Sequence, residues 1–291
     1  MAFWRCSCSP AALSPAMLQL AGISIDATSI GGIETCIQFP GFKLAFDIGR
    51  CPRSAIQRPT ILFTHGHMDH IGGVAFHTST RRMLGMTPPT YVVGPEIAKP
   101  LDALIAACRQ LDRSKMPYEL VTVGPGEEHR LPNGMVARPF RSLHRVPCQG
   151  YGLWGERKKL KPEFHGLPGP EIARLRHVEG VEVTDITEIA EVAFTGDAQI
   201  EVLEREEVVR TARLLVMEVT FVDDRVSVAD CRAKGHIHLD EVVERADLFE
   251  NQAILFTHFS ARYRQREVLE ALDRKLPPDL RERVTPLLPA Q

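Results

Sequence analysis

Apolar and polar residues alternate with a period of two along the first quarter of the chain. Leu18 to Ile25 reads LQLAGISI, Thr35 to Phe39 reads TCIQF and Lys43 to Ile48 reads KLAFDI, the last two parted by the turn pair Pro40-Gly41. With the apolar run ILFT at residues 61–64, these segments predict four short β-strands. Helical spacing first shows around the glycine pair after His70, where Ile71, Val74 and Ala75 recur on one face. A clearer helix is predicted from Pro95 to Leu111, with Ile97, Leu101, Leu104, Ile105 and Cys108 on its apolar side and proline in its first turn. Strand patterns return at ELVTV, MVARPFR, GYGLWG, EVAFT and RLLVMEV, and helices are predicted over Asp240 to Glu250 and Ala261 to Leu272. The alternation is irregular, hairpins first and helices later. That order predicts an α/β chain of two mixed sheets with helices outside, and it speaks against a Rossmann fold or a TIM barrel.

One stretch breaks the pattern. Residues 155–180 lack periodicity, carry Pro162, Pro168 and Pro170, and hold six basic residues (Arg157, Lys158, Lys159, Lys161, Arg174, Arg176) against four glutamates. The excess of +2, in a chain whose formal charge is −2, makes a local positive island of the kind that holds phosphates, or else a solvated loop.

Composition narrows the function class only a little. Hydrophobic residues at 44% and charged residues at 25% are those of an ordinary soluble globular chain, which excludes disordered and collagen-like classes. Near-neutral charge excludes a global basic field, so any nucleic-acid surface must be local. Seven cysteines without a CxxC pair fit a reducing compartment, hence a cytoplasmic protein, better than a disulfide framework. No apolar run approaches the ~20 residues of a membrane span, so no membrane partner is expected. Residues 1–16 are interrupted by serine and proline, unlike a signal peptide, and are expected to be an unstructured extension ahead of one domain over 17–291.

The strongest chemical signal follows the ILFT strand directly: Thr64-His65-Gly66-His67-Met68-Asp69-His70-Ile71-Gly72-Gly73. On a tight loop, residues two apart point the same way while the Asp-His pair turns to the other side. The HxHxDH string therefore offers two adjacent ligand sets for borderline divalent metals. Four side chains cannot close two sites, so further ligands must come from strand ends later in the chain. His144 after MVARPFR, Asp197 after VAFTG and His258 after AILFT each stand where a strand gives way to a loop.

HGHMDHIGG, together with TGDA, MEVTF, GHIH and THFSARY, resembles the metallo-β-lactamase superfamily. Within it the chain resembles the ribonuclease Z family of tRNA 3′-processing endonucleases, in its short plant-type form, as GGIETC, FDIGRCP and GLPGPEI also indicate. The likeness covers Met17 to about Arg283. It implies an αββα sandwich with an inserted arm, and two divalent ions per subunit: zinc, with manganese or iron as alternatives.

The resemblance further implies that His65, His67 and His144 hold one ion, that Asp69, His70 and His258 hold the other, and that Asp197 bridges them. Two such ions lower the pKa of a shared water towards about 7, and Asp69 stands where it could orient the resulting hydroxide. The departing ribose oxygen needs a proton, which His236 of GHIH would supply, with Glu218 of MEVTF holding its other ring nitrogen. The family's Ser-Thr after this histidine is Ile237-His238 here, which leaves His238 as a helix cap, a helper of His236 or a surface residue. Asp47, at a strand end, would brace the metal loop, or is a turn residue before Gly49. Ser260 and Arg262 would line the phosphate path, or are a helix cap and a solvated side chain. The basic segment becomes the arm, with Lys158, Lys159, Lys161 and Arg174 touching RNA backbone rather than bases.

These implications predict a homodimeric endoribonuclease that removes the 3′ trailer from precursor tRNA by hydroxide attack on a phosphodiester. The alternatives are a hydrolase of small phosphodiesters or thioesters on the same scaffold, and, more distantly, a non-catalytic RNA-binding scaffold.

Overall fold

A computed structural model describes residues 17–288, so the expected extension over 1–16 lies outside the described residues. Two seven-stranded sheets account for the strands, each with its strands in chain order. The first holds β1 (Leu18–Leu20), β2 (Ile23–Ile30), β3 (Glu34–Phe39), β4 (Leu44–Phe46), β5 (Thr60–Leu62), β6 (Thr90–Val93) and β7 (Glu119–Thr122). The second holds β8 (His129–Arg130), β9 (Val136–Ser142), β10 (Cys148–Leu160), β11 (Thr184–Phe194), β12 (Leu214–Glu218), β13 (Ala253–Thr257) and β14 (Val284–Pro286). Each sheet begins with antiparallel hairpins and continues in parallel strands, from β4 to β7 and from β11 to β14. This is the mixed-sheet order expected from hairpin patterns followed by helices.

Helices cover both outer faces. On the first sheet lie α1 (Met68–Ile71), α2 (Val74–Met83) and α3 (Pro95–Asp112). Then come α4 (Gly169–His177), and α5 (Glu201–Arg205), α6 (Glu207–Thr211), α7 (Val228–Ala233), α8 (Leu239–Glu244), α9 (Gln265–Lys275) and α10 (Pro278–Arg283). Strand alternation divides the core into three apolar layers. In β13, Ala253 and Leu255 enter the layer between the sheets, whereas Ile254 and Phe256 enter the layer under the helices. Phe46 and Phe194, one from each sheet, stack at 4.8 Å across the middle layer.

Two helix boundaries differ from expectation. The helix predicted over 261–272 starts only at Gln265, because Ser260 and its neighbours form a turn and Arg264 is the N-cap. The helix predicted over 240–250 breaks after Glu244 into a short 3₁₀ turn over Ala246–Leu248.

The basic segment is not an aperiodic loop. β10 and β11 stay paired to Leu160 and Thr184, well beyond the sheet, after a register shift at Leu153/Trp154. A 3₁₀ turn at Pro162–Phe164 and α4 close the tip of this ribbon. Glu156 to Lys159 are all exposed, so no apolar alternation was there to signal a strand: a ribbon wet on both faces has none.

Candidate metal centre and catalytic site

The chemistry-bearing side chains collect at one edge of the sandwich, beyond the carboxyl ends of the central strands. β4 leads into Asp47, β5 into His65, β9 into His144, β11 into Asp197, β12 ends on Glu218 and β13 leads into His258. Loops leaving parallel strands at that end diverge, which opens a crevice for ligands.

The HxHxDH loop is held by close backbone packing. α1 folds back over Gly49, where a Cβ would lie 2.0 Å from the Asp69 carbonyl oxygen, so only glycine fits. His67 caps the start of α1, and Ile48 N–H donates to the His70 carbonyl at 2.8 Å. Asp47 sits below with φ +54, a strained backbone fixed by three contacts. Its carboxylate accepts from Thr64 N–H at 2.9 Å and Thr64 Oγ1 at 2.8 Å, and pairs with His70 Nδ1 at 2.8 Å. Burial pushes the Asp47 pKa up despite the opposing pull of His70. The turn-residue alternative for Asp47 is thus superseded: the side chain is fully buried and braces the loop.

Two ligand groups emerge. His65, His67, His144 and Asp197 form one, and Asp69, His70 and His258 the other, each with donor atoms within 4.8 Å of one another. In the first, His65 Nε2 and His67 Nδ1 are 3.0 Å apart, and His67 Nδ1 and His144 Nε2 3.4 Å. Tetrahedral ligands about 2.0–2.1 Å from a zinc ion stand roughly 3.3 Å from each other, so this spacing suits one cation. Burial holds His65, His67 and His144 below the ordinary imidazole value, which keeps their lone pairs available. The far ring nitrogens are engaged: His65 Nδ1 meets Thr64 Oγ1 at 3.0 Å and His144 Nδ1 meets the Gly235 carbonyl at 2.8 Å. Such outer contacts set the tautomer that points Nε2 inward.

In the second group, His70 Nε2 lies 3.7 Å from Asp69 Oδ2 and 3.4 Å from His258 Nε2. Asp197 stands between the groups, with Oδ1 3.3 Å from His70 and 3.5 Å from His258, and Oδ2 3.7 Å from His65 and 3.9 Å from His144. Burial alone would raise its pKa. The charges of His258, His70 and His65 outweigh that and hold it well below the carboxylate range. A carboxylate ringed by imidazoles and reaching both groups with separate oxygens is what a bridging ligand requires. The donor set, five imidazoles and two carboxylates, fits two divalent cations.

Asp197, His236 and His258 also lie close enough to hold an ion. His236 Nδ1, however, is 2.8 Å from Glu218 Oε1 and 4.0 Å from Asp197, so this nitrogen is already committed to Glu218. Burial depresses the His236 imidazolium, but the Glu218 carboxylate more than offsets it and pushes the pKa up to about 9. Glu218 is itself saturated. It accepts from Ala198 N–H at 3.0 Å and Ile237 N–H at 3.3 Å, and from Thr220 Oγ1 at 2.5 Å. Thr220 Oγ1 also accepts from His258 Nδ1 at 3.0 Å, so one carboxylate ties His236 to the second ligand group. The sequence reading missed Thr64, Thr220 and the Gly235 carbonyl. Both threonines lie within quoted motifs; Thr64 stands next to His65, a signal the sequence offered, whereas Thr220 has no histidine near it in sequence.

His238 is neither surface nor a helper of His236. It is buried and caps α8, accepting at Nδ1 from Asp240 N–H at 3.1 Å while Glu241 accepts from its backbone N–H at 3.1 Å. Ser260 is no helix cap; its N–H donates to the Thr220 carbonyl at 3.0 Å. Arg262 is exposed and stands 5.9 Å from the centroid of Phe221, whose ring in turn meets His236 edge-on at 6.4 Å. Lys158 and Lys159 are exposed on the ribbon without an ion pair among the described residues, Lys161 is half-buried at its end, and Arg174 on α4 pairs with Glu179. No helix among the described residues is long and apolar enough to cross a membrane.

Comparisons with known proteins agree with this geometry. A model of the β-lactamase superfamily domain matches residues 41–259. "tRNase Z TRZ1" of Arabidopsis thaliana is 44% identical over 269 residues, 92% of this chain and 95% of that protein. "tRNase Z TRZ2, chloroplastic", also of Arabidopsis thaliana, is 36% identical over 279 residues, 95% of this chain and 78% of that protein. Among solved structures, human tRNase Z, short form, superposes with a TM-score of 0.55 at 17% identity, covering 90% of this chain and 95% of its own; at that identity the likeness is one of fold. By domain model and by relatives matched over most of their length, the chain belongs to the β-lactamase superfamily and, within it, to the tRNase Z family.

Proposed function

We propose that the protein is a metal-dependent endoribonuclease that removes the 3′ trailer from precursor tRNA. The observation that carries this beyond family membership is the His236–Glu218 pair, 2.8 Å apart and beside the two ligand groups. A simple metal-binding scaffold has no use for an imidazolium held ready at neutral pH.

His65, His67 and His144 would hold one cation, Asp69, His70 and His258 the other, with Asp197 between. We take the metal to be zinc on the strength of the nitrogen-rich donor set, with manganese or iron as alternatives. When bound, two divalent cations supply Lewis acidity that makes water a nucleophile near neutral pH. The rest is done by this chain's own groups. The P–O3′ bond breaks, the water oxygen joins phosphorus, and the proton on His236 Nε2 passes to the departing 3′ oxygen of the tRNA. Glu218, bonded to Nδ1, fixes the tautomer and stabilises the imidazolium. Ser260 and Arg262 flank the path of the phosphate. Lys158, Lys159, Lys161 and Arg174 place positive charge along the ribbon, where it would meet the RNA backbone at a distance from the cut.

A homodimer fits two features. Met68, Phe76, Met83 and Leu84 leave an exposed apolar stripe along α1, α2 and its end, and a projecting ribbon is well placed to serve a neighbouring subunit. Cys36, Cys51, Cys108, Cys148 and Cys231 are free thiols, in keeping with a reducing compartment such as the cytoplasm.

Metal analysis with a precursor-tRNA cleavage assay tests the proposal. Two ions per chain and a cut leaving a 3′-hydroxyl on the tRNA are expected, and His236→Ala should keep both ions while losing roughly 10²–10⁴ in turnover. Full cleavage by that variant would remove His236 from the mechanism.

A further inference from the structure

A cleft of about 470 Å³ opens beside His144, lined among others by Ile97, Pro125, Arg141, Arg145, Val146 and Thr64. Its volume is that of a small-molecule pocket, for which ~300–1,000 Å³ is usual. The floor is rigid. Gln149 is buried and donates to the Val123 carbonyl at 3.1 Å and to Tyr151 at 2.6 Å, and a Cβ on Gly94 would meet its Oε1 at 2.9 Å. Ile97, Pro125 and Val146 give the cleft an apolar side.

Several arginines here are tied up in ion pairs, such as Arg138 with Glu188, Arg157 with Glu191 and Arg232 with Glu241. Arg141 and Arg145 are both exposed at the cleft and have no ion-pair or hydrogen-bond partner among the described residues. Against the one lining carboxylate, Glu96, the two free guanidiniums leave the cleft positive, and beside an apolar wall they offer planar donors to a phosphate and a face on which a base can stack.

The position of the cleft gives it a polarity. His144, whose ring lies 5.1 Å from that of His236, stands at its inner end; the rest of its lining comes from Thr64, the loops after β6 and β7 and residues 141–149, and His236, Phe221 and Ser260 take no part in it. His236 marks the departing 3′ oxygen, so the tRNA end lies on its side, against Phe221 and Arg262. Hydrolysis of P–O3′ leaves the phosphorus, with the oxygen gained from water, on the 5′ end of the released trailer. The strand that continues from the phosphorus away from His236 leads past His144 into the cleft. We infer that this cleft is the subsite for the first trailer nucleotide, with Arg141 and Arg145 holding its phosphates and Ile97, Pro125 and Val146 facing its base. The inference rests on the endonuclease reading and deepens it by assigning one side of the cut its own recognition surface.

The test compares the two products as ligands of the metal-loaded protein. A 5′-phosphorylated trinucleotide stands for the trailer and a mature tRNA with a 3′-hydroxyl for the other product. Loss of a charged hydrogen-bonding partner is worth about tenfold or more in affinity per guanidinium. Arg141→Ala/Arg145→Ala should therefore weaken the trinucleotide at least about tenfold more than the mature tRNA. Equal losses, or a larger loss on mature tRNA, would overturn the assignment. Both side chains are exposed and unpartnered, so folding is not at stake. Val146→Trp narrows the cleft independently: it should raise KM more for a precursor with a purine at the first trailer position than for one abasic there, and equal effects would also count against it. Failure of the unaltered protein to cut precursor tRNA would instead sink the endonuclease reading, while trinucleotide binding still reports on the cleft.

Discussion

Glu218→Gln keeps the shape of the side chain and an oxygen for His236 Nδ1, and removes only the charge. The His236 pKa stands at about 9 against an ordinary 6.5, a difference of roughly 2.5 pH units or ~3 kcal/mol, although burial pulls the other way. The Glu218 carboxylate is the foremost of the groups that raise it, ahead of Asp197, so removing its charge should bring the imidazole well down from about 9. The proton is present below the folded-state pKa and lost as pH rises through it. In the unaltered protein the alkaline limb of kcat should lie at or below about pH 9, since cations at Asp197 repel the imidazolium. In the variant the limb should move down towards about 6.5, so that at pH 8 turnover drops by up to roughly 30-fold and recovers as pH is lowered towards 6. A kcat profile from pH 5.5 to 9.5, with metal content checked at each end, reads this directly. The same fold loss at every pH, with both ions retained, would refute the assignment of Glu218 as the group that keeps His236 protonated.

Further outcomes follow from the same geometry. Asp47→Ala strips His70 of its 2.8 Å partner and should weaken binding at the second ligand group about 10–100-fold, measured by metal titration, with the first group less affected. Gly49→Ala places a methyl 2.0 Å from the Asp69 carbonyl oxygen and should cost about 1–3 kcal/mol of stability in a denaturant melt; an unchanged midpoint would show that α1 can shift freely. Lys158→Ala/Lys159→Ala should lower the slope of log affinity against log salt for precursor tRNA by about two, one per phosphate contact, and an unchanged slope would place the RNA elsewhere.

The metal loop was legible in the sequence because its residues are contiguous: a strand, then HxHxDH, can only be a local arrangement. His144, Asp197 and His258 were legible as candidates because strand ends are places where side chains emerge together. What joins them was not. Thr220 accepts a hydrogen bond from His258 and donates one to Glu218, and such a contact exists only once β12 and β13 lie side by side. The Gly235 carbonyl that steadies His144 leaves no mark on a side-chain pattern at all. The ribbon was missed as secondary structure for a related reason. Periodicity records burial, and residues 156–159 bury nothing. His238 was ambiguous because a histidine cap is rare where serine, threonine, aspartate or asparagine usually serve, yet its neighbour Glu241 completes the box.

The ligands are divided between the two sheets. His65, His67, Asp69 and His70 belong to the half that ends with β7, whereas His144, Asp197 and His258 belong to the half that begins with β8, and each group draws on both. Neither half alone could complete either set, so cation uptake would act as a latch across the seam, fastening the halves only after they have met.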